Sequence, residues 1–172
     1  MPQEEKDQGA YSLSGDESRR AVAKAMSLLQ LKDRTEKELS DKLYRAGFSE
    51  NASSEAMEYV KHFGYINDRR YVENYIMFQS GKKSQKEMVY KLAEKGISRE
   101  LIWQVMEETE YNGEEDAICR LILKKLKGRN LCELSIEERN KISAYLGRKG
   151  YEWNGIKNVF LKLDAQSSGE EV

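Results

Sequence analysis

One sequence pattern occurs three times in the 172-residue chain: TEKELSDKLYRAGF at 35–48, SQKEMVYKLAEKGI at 84–97 and SIEERNKISAYLGRKGY at 135–151. Each copy begins with a hydroxyl residue that is followed three positions later by glutamate, the capping-box pattern of a helix start. Each copy also contains a glycine, Gly47, Gly96 or Gly150, of the kind that ends a helix in the left-handed conformation. The pattern therefore predicts three related helices.

Apolar residues occupy matching positions when the three glycines are aligned. They are Leu39, Leu43, Phe48, Ala56 and Met57 in the first copy, Met88, Leu92, Ile97, Val105 and Met106 in the second, and Ile142, Leu146, Tyr151, Val159 and Phe160 in the third. Their helical spacing indicates one buried face per helix. Agreement in this many columns indicates tandem repeats of roughly 50 residues.

The predicted fold is all-α, with three tandem three-helix repeats at 18–66, 67–112 and 113–164. The predicted helices are 18–31, 35–46 and 51–63, then 68–80, 84–95 and 98–109, then 114–127, 135–149 and 153–163. Asn67 or Asp68, Ser98 and Asn112 are candidate caps for the fourth, sixth and seventh helices. Helices this short need neighbours to bury their apolar faces, so the repeats are expected to stack into an elongated, curved array.

Composition supports this class of fold. The only proline is Pro2, which argues against sandwiches and barrels, whose edges and turns rely on proline. No apolar run approaches the roughly 20 residues that span a bilayer. The acidic start has no secretory signal, and Cys119 and Cys132 are expected to be reduced. The sequence therefore predicts a cytoplasmic protein without a membrane segment.

The net charge of −1 is unevenly distributed. Residues 1–17 hold five acidic residues and one lysine, and residues 165–172 hold two acidic residues, so both ends are predicted to be acidic disordered tails. The body, 18–164, holds 28 basic and 23 acidic residues and carries +5. A mildly basic body between acidic tails is compatible with a polyanionic partner.

No catalytic constellation is apparent. His62 is the only histidine, and a lone histidine is more often a structural helix residue than a ligand. Cys132 has no obvious base beside it. The string GKKS at 81–84 resembles the end of a phosphate loop, but Ile76 stands where that motif needs its first glycine. We predict that the chain is not an enzyme and holds no cofactor or metal.

Basic residues gather between and near the ends of predicted helices. Those predicted to contact a partner are Lys82, Lys83, Lys86, Lys124, Lys125, Arg148 and Lys149. Stacked repeats would align them in a stripe that suits phosphates or an acidic protein groove. The alternative is that they only stabilise helix dipoles and solvate the surface. Arg69 and Arg70 have a second interpretation, in which they only anchor the first repeat to the second through Asp68 or neighbouring acids.

Aromatic residues allow two interpretations. Stacking on single-stranded bases is possible in principle. However, Tyr71, Tyr75 and Phe78 lie on one face of a predicted helix, and Trp103 and Trp153 fall in the third helices of their repeats. We therefore expect these five side chains to pack in the core.

The stretch GYINDRRYV at 64–72 resembles the central signature of the RecX regulatory proteins, G-Y-[IL]-[DN]-D-x-R-[FY]-A. The signature residues here are Gly64, Tyr65, Asp68, Arg70 and Tyr71. The first copy of the repeat, Leu92 with the KGI at 95–97, and LGRKGY at 146–151 are similar to other motifs of that family in the same order. Val72, Lys149 and Tyr151 replace the usual alanine, arginine and phenylalanine. The resemblance covers about 20–163.

This resemblance implies three tandem three-helix repeats and a cytoplasmic modulator, usually an inhibitor, of the RecA recombinase. Such proteins lie along the RecA filament on single-stranded DNA, restrain its ATPase and strand exchange, and so influence recombination, DNA repair and the SOS response. The expected partners are that filament and, as a second option, DNA itself, with the chain acting as a monomer. The alternative hypothesis is a stand-alone helical nucleic-acid-binding module.

Overall fold

The computed structural model describes residues 13–109, 111 and 113–168. Within these residues the chain forms nine α-helices, one short 3-10 helix at Leu131–Glu133 and no β-strand. The α-helices are α1 Asp16–Leu31, α2 Glu36–Arg45, α3 Glu50–His62, α4 Asp68–Gln79, α5 Gln85–Glu94, α6 Arg99–Glu108, α7 Glu114–Leu126, α8 Ile136–Arg148 and α9 Trp153–Ser168. The prediction of an all-α chain is confirmed. None of the described helices is both long enough and apolar enough to cross a membrane.

The predicted and observed helix bounds differ most at the two ends of the chain. α1 begins at Asp16, within the predicted acidic tail. α9 continues to Ser168, so residues 165–168 are helical and not part of a disordered tail. Leu163 packs against the core and Asp164 pairs with Arg139 at 2.8 Å, which explains why the helix passes the predicted end. Residues 1–12 and 169–172 of the predicted tails, and the predicted cap Asn112, lie outside the described residues.

Thirteen of the fifteen residues in the matched apolar columns are buried as predicted, whereas Phe48 and Met57 are only partly buried. Leu43, Leu92 and Leu146 are completely inaccessible to solvent, and Ile97 and Tyr151 directly after the glycines are also buried. The glycines themselves have φ values of +84°, +87° and +91° at Gly47, Gly96 and Gly150. Each helix therefore ends in the left-handed conformation that the sequence predicted.

The capping boxes are only partly as predicted. Thr35, Ser84 and Ser135 each accept a hydrogen bond from the backbone N–H three residues later. The reciprocal bond from the cap amide to the glutamate is present at Ser135, where Glu138 Oε2 accepts it at 3.1 Å. Glu38 and Glu87 instead bind lysines, Lys95 at 2.6 Å and Lys83 respectively, because a cation lies within reach of each carboxylate.

The chain divides into two compact units. Unit 1 consists of Met1–Tyr71 and Lys95–Ile97, and unit 2 of Val72–Glu94 and Ser98–Val172. The core of unit 1 is formed by Ala21, Ala25, Leu39, Leu43, Ala52, Ala56, Val60 and Ile66. A core in unit 2 is formed by residues of α7, α8, α9 and the 3-10 helix, including Ile118, Ile122, Leu146 and Ile156. The boundaries proposed for three repeats stay a prediction.

The same pair of hydrogen bonds occurs once in each unit. In unit 1, Thr35 Oγ1 donates to the Lys95 carbonyl at 2.7 Å, and the Glu36 N–H donates to Asp68 Oδ1 at 2.8 Å. Asp68 therefore caps α2, while Asn67 Oδ1 accepts from the Arg70 N–H and caps α4.

In unit 2, Ser84 Oγ donates to the Lys149 carbonyl and the Gln85 N–H donates to Glu114 Oε1, both at 2.8 Å. In unit 1 the start of α2 is thus bound by the residue after α5 and by the acidic first residue of α4. In unit 2 the start of α5 is bound by the residue after α8 and by the acidic first residue of α7. This equivalence is the pattern expected of repeats that dock on one another.

Candidate functional site: a basic cluster in unit 2

The ends of α7 and α8 bring cations together in unit 2. Lys125 and Lys149 lie in or just after the last turns of these helices, where the helix dipole favours positive charge. Lys125 Nζ lies 4.2 Å from the centre of the Tyr145 ring and Lys149 Nζ lies 5.8 Å from it. An aromatic face attracts cations without neutralising their charge.

Arg148, Lys149 and Lys86 border one open depression of about 410 Å³, whose other lining residues are Glu87, Tyr90 and Gly150. We name Lys86, Lys125, Arg148 and Lys149 the basic cluster. Lys86 Nζ binds Glu152 Oε1 at 2.6 Å, and this hydrogen bond raises the pKa of Lys86 above its ordinary value. Arg148 is exposed and makes no ion pair with any described residue. The free positive charge of the depression therefore resides mainly on Arg148 and Lys149.

The other predicted contact residues are placed differently. Lys82 Nζ donates to the Phe78 carbonyl at 2.7 Å and so closes the end of α4. Lys83 forms an ion pair with Glu87, one of the residues that line the depression. Lys124 is exposed at the end of α7. The structure thus joins four of the seven predicted residues into the basic cluster and connects Lys83 to it through Glu87.

The family-signature residues form a structural junction inside unit 1. Gly64 has a φ of +67°, and its carbonyl accepts a hydrogen bond from Arg70 Nη2 at 3.2 Å. The Tyr65 N–H donates to the Val60 carbonyl at 2.8 Å. Tyr71 presents its ring to Lys95 Nζ at 5.5 Å. The first two contacts hold the turn between α3 and α4, the Tyr71 contact joins α4 to the turn after α5, and the Asp68 cap joins α4 to α2.

The charges at this junction are set by burial and by Lys95. Burial raises the pKa of Asp68, and the hydrogen bond from the Glu36 N–H only partly opposes this effect. Burial also disfavours ionised Glu38, but the hydrogen bond and charge of Lys95 outweigh it, so the pKa of Glu38 lies below its ordinary value. The ionised Glu38–Lys95 pair is therefore a stable part of the junction at neutral pH.

Several aromatic residues predicted for the core are on the surface. Phe78 is 62% exposed, Trp103 is 42% exposed and Trp153 is 62% exposed. The buried face of α4 is made instead by Val72 and Ile76, which leaves Phe78 on the outer side. Tyr71 and Tyr75 are only partly buried.

Two tyrosines at the basic cluster were not singled out from the sequence. Tyr145 stands four residues before Lys149, a spacing that places two side chains on one helix face. That spacing could have identified the pair. Tyr90 lines the depression only because α5 and the end of α8 meet there, and no local signal indicates such a contact.

No group of three or more histidine, cysteine or acidic residues in the described part of the chain is arranged to hold a metal ion. Cys119 is partly buried and Cys132 is exposed, and both are free thiols. His62 lies edge-on to the Phe63 ring, with 4.9 Å between the ring centres.

Comparison with known proteins agrees with this architecture. A family model described as RecX, first three-helix domain, matches residues 21–59. The chain is 33% identical over 158 residues to regulatory protein RecX of Caldanaerobacter subterraneus subsp. tengcongensis, covering 89% of this chain and 75% of that protein. It is 28% identical over 152 residues to regulatory protein RecX of Clostridium perfringens strain 13, covering 86% and 70%.

Solved structures show the same fold. The crystal structure of RecX from Lactobacillus salivarius aligns with a TM-score of 0.74 at 25% identity, over 87% of this chain and 97% of that chain. A crystal structure of regulatory protein RecX aligns with a TM-score of 0.71 at 20% identity, over 83% and 72%. Since a relative is 33% identical over most of both sequences, the chain belongs to the RecX family of regulatory proteins.

Proposed function

We propose that this chain binds the RecA filament on single-stranded DNA and restrains its ATPase and strand-exchange activities, thereby influencing recombination and DNA repair. The observation that carries the proposal is family membership, shown by 33% identity over 89% of the chain. The chain acts as a monomer in the cytoplasm, where the filament forms. A mass of one 19.9 kDa chain in light scattering supports the monomer, and twice that mass contradicts it.

The basic cluster supplies a physical basis for binding. A filament on DNA presents many phosphates, and cations without acidic partners bind phosphates best because no ion pair has to be broken first. Arg148, Lys149 and Lys125 meet this condition in unit 2. Lys86 and Lys83 are neutralised by Glu152 and Glu87 and contribute less. Several weak contacts made together by one chain add up to firm binding.

The direct test is the ATPase rate of RecA on single-stranded DNA, measured with and without the full chain. We expect the rate to fall as the chain is added. An unchanged rate at several-fold molar excess of the chain over RecA contradicts the proposal.

A matched pair of charge reversals tests the cluster. The double variant Arg148→Glu/Lys149→Glu removes the free cations at the depression, whereas Lys82→Glu/Lys83→Glu changes the charge equally but at cations that bind Phe78 and Glu87. We expect the first variant to lose more filament binding than the second, with the circular dichroism of both unchanged. Equal binding by the wild type and the first variant removes the cluster from the mechanism.

The second candidate is a module that binds nucleic acid without RecA. It is favoured by the lysines that flank Tyr145 and by Tyr90 at the depression, since cations beside aromatic rings suit single-stranded nucleic acid. Fluorescence anisotropy with labelled single-stranded DNA over a salt series separates the two candidates. Tight binding with a steep salt dependence and no added effect of RecA favours this second candidate.

A further inference from the structure

Unit 1 contains a groove of about 750 Å³ between α2 and α3. The two helices run in opposite directions, because Glu36 at the start of α2 binds Lys61 near the end of α3 at 2.7 Å. Tyr44 near the end of α2 and Glu50 at the start of α3 therefore line the opposite end of the groove. Met57 contributes an apolar wall between these ends.

One wall of the groove contains a polar residue where the related helices have apolar ones. Ser53 stands six residues after Gly47, and the equivalent residues after Gly96 and Gly150 are Ile102 and Ile156. Ile102 and Ile156 are fully buried core residues. Ser53 is only 8% exposed, yet its Oγ, which solvent does not reach, has no hydrogen-bond partner among the described residues. A buried hydroxyl without a partner costs stability, so this wall of the groove is not optimised for packing within unit 1 alone.

The open end of the groove has the groups that recognise a cation. Tyr44 is 79% exposed, so its ring face is available. Glu50 is exposed and forms no ion pair with any described residue. The other end of the groove already holds a cation, Lys61, against the carboxylate of Glu36. The groove thus places an aromatic face and an unpaired carboxylate where a second cation would fit.

We propose that this groove binds an arginine side chain from a segment of a protein partner. The guanidinium lies between the Tyr44 ring and the Glu50 carboxylate, and the aliphatic stem lies on Met57. The groove is lined by three carboxylates and two lysines, which disfavours nucleic acid as its occupant. We take the partner to be RecA, and this identification rests on the proposed function.

The first test uses a defined probe on the full wild-type chain. An acetylated and amidated peptide of sequence Ala-Ala-Arg-Ala-Ala is titrated while backbone amide resonances are followed by NMR. The control peptide carries citrulline, which has nearly the same shape as arginine but no charge. We expect saturable shifts at Tyr44, Glu50 and Ser53 with the arginine peptide only. Equal shifts with both peptides, or none at these residues, overturn the inference.

The second test measures binding of full-length variants to the RecA filament. Glu50→Gln and Tyr44→Ala should each weaken binding roughly two- to fivefold, the effect of one exposed ion pair or cation–π contact. Asp41→Asn changes the charge equally on the exposed side of α2 outside the groove and should leave binding unchanged. If the wild type binds the filament and the two groove variants bind it as tightly as the wild type does, the inference fails. If the wild type does not bind, the proposed function fails, while the peptide titration still tests the groove.

Discussion

The glycines that end α2 and α5 allow the contact between the Lys95–Ile97 turn and α2 to be measured by a matched pair of substitutions. Gly47 and Gly96 have nearly equal φ values, +84° and +87°. Among the described residues, a Cβ at Gly47 would meet no atom within 4 Å, whereas a Cβ at Gly96 would lie 2.5 Å from Lys37 Cβ. Gly47→Ala therefore reports the backbone cost alone, and Gly96→Ala reports the same cost plus the clash.

The expected magnitudes follow from these two terms. Alanine in the left-handed region costs about 1–2 kcal/mol, which is the expected destabilisation for Gly47→Ala. Overpacking adds about 1–3 kcal/mol at Gly96, since Lys37 Cβ belongs to the helix and cannot rotate away. At an m-value of about 2 kcal/mol/M, Gly96→Ala should unfold at a urea concentration about 0.5–1.5 M below that of Gly47→Ala.

Urea unfolding followed by far-ultraviolet circular dichroism measures this difference. As a further control, Lys37→Ala in the Gly96→Ala background removes the outer side-chain atoms but leaves the Lys37 Cβ, so it should restore only part of the lost stability. Equal urea midpoints for Gly47→Ala and Gly96→Ala would refute the account of the turn as a close-packed contact on α2.

Three further predictions concern hydrogen bonds of unit 1. In urea unfolding, Thr35→Ala should destabilise the chain by about 2–3 kcal/mol and Ser135→Ala by about 1 kcal/mol, because Thr35 is buried and also donates to the Lys95 carbonyl. Similar losses of stability in the two variants would contradict this prediction. Hydrogen bonds from the Ser14 hydroxyl and N–H lower the pKa of Glu55 to about 2, so the stability they provide above pH 4.5 should be lost between pH 4.5 and 2. Ser14→Ala should make this loss smaller, and identical pH profiles of the urea midpoint for the variant and the wild type would count against these bonds. Asp68→Asn should unfold near the wild-type urea concentration, because burial raises the pKa of Asp68 and a neutral amide oxygen still accepts from the Glu36 N–H, whereas Asp68→Ala should lose about 1 kcal/mol of stability. Equal losses of stability in the two variants would refute the capping role.

The fold was largely predictable because its signals are local and repeated. Leu43, Leu92 and Leu146 sit four residues before three equivalent glycines, and this spacing alone identifies the buried face of each helix. The exposure of Trp103 was not predictable in this way. Ile102, Val105 and Met106 already fill the buried face of α6, so the indole next to them projects outward in spite of its size.

The partners of charged groups were the least predictable features, because they depend on tertiary contacts. Asp68 begins α4 and was a candidate cap for that helix, but its carboxylate accepts from the Glu36 N–H and caps α2, 32 residues away. Glu38 has the position of a capping-box acid and binds Lys95, 57 residues away. At the candidate site, the sequence identified the cations but not which of them are neutralised, since Glu152 reaches Lys86 from the start of a later helix.

The most direct test of the central claim is a cryo-electron microscopy map of the full chain bound to RecA on single-stranded DNA. The account predicts that Lys125, Arg148 and Lys149 face the filament and lie within ion-pair distance of phosphates or acidic side chains. A map in which these three residues face solvent while the chain is bound would contradict it.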